Sequence, residues 1–364
     1  MGFRCGIIGL PNVGKSTIFN ALTAAGAAVA NYPFCTIEPN VGVVPVPDDR
    51  LTAIAALTKH EKVTPTVMEF LDIAGLVKGA SKGEGLGNTF LGHIRDVDAV
   101  VHIVRCFDDP DVAHVHGAVD PRSDIEVVAA ELILADLETC EKRLEKARRQ
   151  AKVGDKEAAK DVTCYEHFVE ALGKGIPARQ IQRDEMEKGL RKELNLLTDK
   201  KVLYVANASE AELKSGNGYI RQVESIARDE GAEVITICGD MEAEIATLPE
   251  DERKEFMDDL GLAESGLTQL IRAGYKLLGL ITFYTVAGTE LRAWTVPADT
   301  HAQQAAGRIH TDMERGFIRA EILRYDDFVG AGSVAAAKEK GLVKVEGKEY
   351  VIQDGDIVYF RFNV

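Results

Sequence analysis

The segment Gly9-Leu10-Pro11-Asn12-Val13-Gly14-Lys15-Ser16-Thr17 constrains this chain more than any other. It has the spacing G-x-x-x-x-G-K-S/T, follows the apolar run Phe3 to Leu10, and leads into Ile18-Phe19-Asn20-Ala21-Leu22. Strand, glycine loop and helix in that order form the context a phosphate-binding loop requires. Gly9 and Gly14 admit backbone angles closed to other residues. Asn12, Val13, Gly14, Lys15, Ser16 and Thr17 can therefore turn successive N–H groups toward the phosphates that also face the positive end of the helix. Lys15 would neutralise β and γ oxygens, in binding and in catalysis, and the Ser16 hydroxyl would hold Mg²⁺.

With 364 residues the chain is long enough for two or three domains. Its 46% hydrophobic and 28% charged residues describe a soluble globular protein, and no apolar stretch is long enough to span a membrane. The short apolar run at the N-terminus belongs to the first strand, so no signal peptide is expected. Cys5, Cys35, Cys106, Cys140, Cys164 and Cys238 are scattered with no Cys-x-x-Cys pair, which points to reduced thiols in a cytoplasmic protein. A net charge of −15 argues against a broad surface that coats nucleic acid, while leaving room for a local basic face.

Beyond the glycine loop, Asn31 to Asn40 reads as an ordered loop, from which Thr36 would give Mg²⁺ a second hydroxyl. A strand over 66–71 ends at Asp72, placed to accept a Mg²⁺-bound water, and Gly75 would offer its N–H to the γ-phosphate. The glycine-rich run Leu76 to Gly87 suits a segment ordered by ligand and released by hydrolysis. Ala99 to Cys106 is almost continuously apolar, as a parallel strand covered on both faces should be. Helical spacing begins near Ile125 and continues through segments near 157–172 and 184–197. Within it Lys142, Arg143, Lys146, Arg148, Arg149 and Lys152 place six positive charges in eleven residues, readable as a solvated helix face or as an RNA contact.

Strand character returns over 201–206, ending at Asn207, and again over 232–237. Such alternation around an all-helical stretch indicates one doubly wound α/β domain with an insertion. From about Leu278 the pattern becomes strands at 282–286 and 291–296, a helix opened by Thr300, and strands at 348–351 and 356–362: a small α+β module. The expected partition is a nucleotide-binding domain over 1–124 and 199–278, a helical, coiled-coil-like insertion over 125–198, and a last domain over 279–364.

These residues resemble a known family. The glycine loop, Asn31-Tyr32-Pro33-Phe34-Cys35-Thr36 and Asp72-Ile73-Ala74-Gly75 are similar to the Obg group of translation-factor P-loop NTPases. Lys78 to Gly87 with Arg105-Cys106-Phe107 narrows this to the YchF/Obg-like ATPase subfamily. Gln304 to Asp312 with Gly316-Phe317-Ile318-Arg319-Ala320 resembles that subfamily's C-terminal TGS domain, a β-grasp module.

The resemblance implies a Mg²⁺-dependent NTPase that prefers ATP and associates with the ribosome (the large subunit or the whole particle), and with rRNA through the helical and TGS domains. A monomer is expected. Asn207 and Ala208 would contact adenine, with Phe107 beside it. Guanine-specific relatives carry Asn-Lys-x-Asp, whereas this chain has Asn207-Ala208-Ser209-Glu210. Losing a bidentate base contact of that kind costs roughly 1–3 kcal/mol of discrimination. Leu76 replaces the glutamine that orients water in switch GTPases, so slow intrinsic hydrolysis is expected, on the order of 10⁻³ per second or below. His114, the position to which the subfamily points, would orient water instead. Asn12 would coordinate K⁺ near the β–γ bridge. Two other readings stay open: a GTPase assembly factor of the general Obg type, and a nucleotide-stabilised scaffold with negligible turnover.

Overall fold

A strand with no solvent face needs parallel neighbours and helices above and below, and Ala99–Arg105 is buried at all seven positions. In the computed structural model, which describes residues 3–26, 40–58, 60–73, 87–115, 117–182, 188–287 and 289–363, it lies inside such a sheet. In chain order the strands are β1 (Arg4–Ile8), β2 (Val41–Pro45), β3 (Lys62–Thr64), β4 (Val67–Asp72), β5 (Ala99–Arg105), β6 (Lys201–Asn207), β7 (Glu233–Ile237), β8 (Leu280–Ala287), β9 (Glu290–Pro297), β10 (Phe317–Leu323), β11 (Lys344–Glu346) and β12 (Ile357–Phe362). They form two six-stranded sheets, ordered β2-β4-β1-β5-β6-β7 and β11-β10-β12-β8-β9-β3. In the first sheet β4, β1, β5, β6 and β7 pair in parallel. This is the doubly wound α/β architecture expected, with the glycine loop at the carboxyl end of β1.

The chain divides into two compact units, Met1–Val44 with Glu69–Leu270, and Pro45–Met68 with Ile271–Val364. The partition therefore differs from the one expected. Residues 45–68 and 271–278, assigned from the sequence to the nucleotide-binding domain, group with the C-terminal module, and the helical segment groups with the first unit.

In the first unit the helical segment is a hairpin. Asp120 caps the helix Pro121–Lys152 by accepting the Ser123 N–H, and Pro121 at its first turn has no N–H to leave unpaired. Asp155 caps the next helix, Lys156–Gly173, in the same way. Ile133, Cys140, Leu144 and Ala147 of the first helix pack against Tyr165, Phe168, Ala171 and Leu172 of the second. Asp136 anchors the hairpin: its buried carboxylate accepts the N–H groups of Leu197 and Thr198 at 2.8 Å each and the Thr198 hydroxyl at 2.6 Å. Burial raises its pKa against those hydrogen bonds. Of the helix expected over 184–197, Lys188–Leu194 is helical and its last residue, Leu197, opens a separate short turn, Leu197–Asp199; residues 184–187 lie outside the described residues. On the exposed face Lys142, Arg143, Arg148 and Arg149 pair with Glu138, Glu193, Glu166 and Glu145. Those neutralised charges fit a solvated face.

The second unit packs its sheet between helices. Ala302, Ala305 and Ala306 of the helix Ala302–Ile309 let it sit close to Phe283, Ala320, Val358 and Phe360. On the other face Leu51 and Ile54 of the helix Asp49–Thr58 meet Tyr284, Leu291 and Leu323. Three strands here were not expected: β3, β10 and β11. Conversely, the strand expected at 348–351 is only a single bridge between His301 and Val351.

Candidate functional site

The candidate site is built where β1, β5 and β6 end. After β1 the chain turns through Asn12 at φ 63° and Gly14 at φ 89°, both left-handed, the region that favours glycine and tolerates asparagine. A side chain at Gly9 would place a Cβ 2.6 Å from the Ile103 carbonyl of β5, and one at Gly14 would collide with the Asn207 amide. The loop is therefore threaded between its neighbours where only glycine passes. The helix Lys15–Gly26 follows, with Ser16 exposed and Val13 and Ile18 buried.

Asn207 ties this turn to the adjacent loop. In register, Asn207 stands beside Arg105 of β5 and Ile237 of β7. Its side-chain amide donates to the Val13 carbonyl at 2.9 Å, and its oxygen accepts the Gly239 N–H at 3.0 Å. Cys238-Gly239-Asp240 thus opens the helix Gly239–Thr247 under direct restraint from Asn207. Ala208 is buried with Cys106, Ala206 and Ile220, and its N–H donates to the Ile237 carbonyl at 2.8 Å. Ser209 and Glu212 form a reciprocal cap on the helix Glu210–Ser215, and Glu210 is exposed at its start. Burial acts to raise the Glu212 pKa, but hydrogen bonds from Asn217 and Ser209 outweigh it and hold the carboxyl below its usual range.

The phosphate side carries charge. Lys15 Nζ forms an ion pair with Asp72 at the end of β4, both side chains largely buried. Asp72 is fixed by its main chain, which donates to the Asn40 carbonyl at 2.8 Å. The Ser16 hydroxyl and the Asp72 carboxylate are hard oxygen donors of the kind Mg²⁺ selects. Thr36 and Gly75 lie outside the described residues, as do Leu76 and the glycine run to Leu86.

Residues 107–115 form the remaining wall. Arg105, 1% exposed, holds them from inside. Its guanidinium donates to the carbonyls of Phe107 (3.1 Å), Val112 (2.8 Å) and Asp109 (3.2 Å), and lies 4.7 Å from the Phe107 ring centroid. Phe107 is half-buried against this cation. Asn12 Nδ2 donates to the Ala113 carbonyl at 3.1 Å, so the loop is docked on the glycine turn. His114 is not a solvated loop histidine: its side chain is 4% exposed, with Nε2 3.0 Å from Asp124 Oδ2 in the first turn of the helix Pro121–Lys152.

The structure thus brings Asn12, Val13, Gly14, Lys15, Asp72 and Asn207 into one constellation, with His114 one residue from the Asn12 contact. Two residues escaped the sequence reading of the site. Arg105 was visible only as part of a shared motif, and no local pattern marks Asp124, whose partner lies across a loop. Among the described residues no group of three or more His, Cys, Asp or Glu is arranged to hold a metal by protein ligands alone. No helix among them is long and apolar enough to cross a membrane. Cys5, Cys106, Cys140, Cys164 and Cys238 are buried and unbridged.

Comparison with known proteins gives consistent likenesses. A family model described as a 50S ribosome-binding GTPase matches residues 4–133, and one named YchF-GTPase_C, of unknown function, matches residues 280–363. The chain is 54% identical over 366 residues to a protein of Bacillus subtilis called ribosome-binding ATPase YchF. It is 52% and 51% identical to proteins of the same name from Pasteurella multocida and Escherichia coli O157:H7. In each case all of both chains is covered. The solved structure of the Schizosaccharomyces pombe YchF GTPase superposes with a TM-score of 0.90 at 36% identity, covering 99% of this chain and 98% of that one.

Proposed function

Because the chain belongs to the YchF family, we propose that it is a cytoplasmic, Mg²⁺-dependent ATPase that binds the ribosome and changes state with its nucleotide. Support comes first from the glycine turn, where Lys15 pairs with Asp72 and Ser16, the next residue, is exposed. When a triphosphate enters, Lys15 would exchange Asp72 for the β and γ oxygens, and Ser16 and Asp72 would face Mg²⁺, the latter through water. The metal would supply charge neutralisation across the bridging oxygens. Thr36 and Gly75 complete this reading from the sequence alone.

Preference for ATP over GTP is supported by the base end. Ala208 stands where guanine-specific sites carry lysine, and Glu210 is exposed at a helix start. Adenine has no N1–H for a carboxylate to accept. Asn207, Ala208 and Phe107 would border the base, and His114 would orient the attacking water. K⁺ at Asn12 would add positive charge in place of an arginine finger; equal turnover in KCl and NaCl would remove that part. The family name carried by the relatives favours ribosome binding, and the paired charges on the helical hairpin weigh against a diffuse rRNA contact there. A monomer suffices for every residue named.

The test is ATP hydrolysis and ribosome co-sedimentation, each with and without Mg²⁺ and purified ribosomes. Slow turnover that rises with ribosomes, and co-sedimentation that changes with nucleotide, are expected. Turnover near zero even with ribosomes would favour a nucleotide-stabilised scaffold.

A further inference from the structure

We propose that Asp124 is a positioning residue that holds His114 withdrawn from the phosphates, so that basal hydrolysis is slow because His114 is parked; this rests on the reading of His114 as the group that orients water. Three observations lead to it. The His114 and Asp124 side chains are 4% and 3% exposed, so the imidazole is shut away from solvent. The carboxylate meets Nε2, at 3.0 Å, the ring nitrogen farthest from the main chain. In hydrolase triads the carboxylate takes Nδ1 and leaves Nε2 facing the reaction; here the far-reaching atom is occupied. Finally, Asn12 holds the Ala113 carbonyl at 3.1 Å, so the main chain next to His114 is already beside the glycine turn. From there the side chain has to leave Asp124 to reach the phosphate side.

Asp124 is well placed for this. It sits in the first turn of the helix Pro121–Lys152, where an anion is favoured by the helix dipole. A partner that pulled on this helix start or on residues 107–115 would release the ring, which makes the contact a natural point for stimulation of turnover.

The experiment uses the full chain with Asp124→Ala, Asp124→Asn, His114→Ala and the His114→Ala/Asp124→Ala double variant. Basal and ribosome-stimulated ATP turnover are measured, and exposure of His114 is read by diethylpyrocarbonate labelling with mass spectrometry. Losing a hydrogen bond to a charged group should raise basal turnover by roughly tenfold or more in Asp124→Ala, with KM for ATP within about twofold. Asp124→Asn, which keeps the shape and one hydrogen bond, should fall between and carries the test if the alanine variant does not fold. Labelling at His114 should rise in the same order, and the double variant should drop to the His114→Ala rate. Basal turnover that falls in both Asp124 variants, or a gain that survives in the double variant, would overturn the proposal alone. Ribosome-stimulated turnover unchanged in His114→Ala would overturn the reading of His114, and the proposal with it.

Discussion

Asn207, at the end of β6, reaches the glycine turn directly: its side-chain amide donates to the Val13 carbonyl across 2.9 Å, 194 residues away in sequence. The same side chain accepts the Gly239 N–H. One buried amide thus holds two loops in register around the candidate site.

Asn207→Ala should orphan the Val13 carbonyl and the Gly239 N–H together, at about 1–3 kcal/mol for each buried group left unpaired. Urea denaturation of the first unit should shift to lower midpoint, and titration with a fluorescent ATP analogue should show at least tenfold weaker binding. Asn207→Asp should rescue only in part, because its carboxylate can accept the Gly239 N–H but cannot donate to the Val13 carbonyl.

Gly14→Ala should abolish ATP binding, since it combines a left-handed φ of 89° with collision against Asn207. Gly9→Ala should act through folding, because its Cβ meets the Ile103 main chain, which cannot move aside without disturbing β5. Thermal melts and ATP titration together separate the two outcomes: both variants should melt below wild type, Gly14→Ala because its Cβ displaces the Asn207 amide, and Gly14→Ala should in addition lose ATP affinity.

Arg105→Met should loosen residues 107–115 and leave the sheet intact. The guanidinium bonds to three carbonyls are replaced by a side chain of similar length with no donors. Hydrogen exchange should accelerate in that loop by an order of magnitude or more, while β5 and β6 stay protected. Uniform protection would show that the loop is held by other contacts.

How much of this was legible in sequence depended on distance along the chain. The glycine turn, Asp72 and Asn207 could be read because each closes a strand whose apolar run marks it. The expected β-grasp module was right in kind, but its outline was not. β3 pairs with β9 through Lys62 and Glu290, partners 228 residues apart, and nothing local foretells that pairing. β10 reads Phe-Ile-Arg-Ala-Glu-Ile-Leu, with charges on a sheet face where Glu321 pairs with Lys338 and Arg361, so it passed for loop. His114 could be chosen from resemblance, yet its partner Asp124 could not, because the contact depends on how a loop folds against a helix start.

Acidification should destabilise the first unit through His102. Burial, with Arg179 nearby, pushes its pKa down to about 3 from 6.5, so the folded state keeps the ring neutral. Between those values the unfolded chain binds a proton that the native state refuses, and stability falls as pH falls. At about 1.4 kcal/mol per pH unit, this costs on the order of 2 kcal/mol between pH 6.5 and 5. A His102→Leu variant compared with wild type at pH 7 and pH 5 should lack that increment.

The central claim is that the glycine turn grips an adenine triphosphate through Lys15, and equilibrium competition of unlabelled ATP and GTP against a fluorescent ATP analogue tests it most directly. In wild-type protein with Mg²⁺, ATP should displace the analogue at least tenfold more effectively than GTP, and Lys15→Ala should bind neither nucleotide measurably. GTP winning the competition, or Lys15→Ala retaining full ATP affinity, would contradict the account.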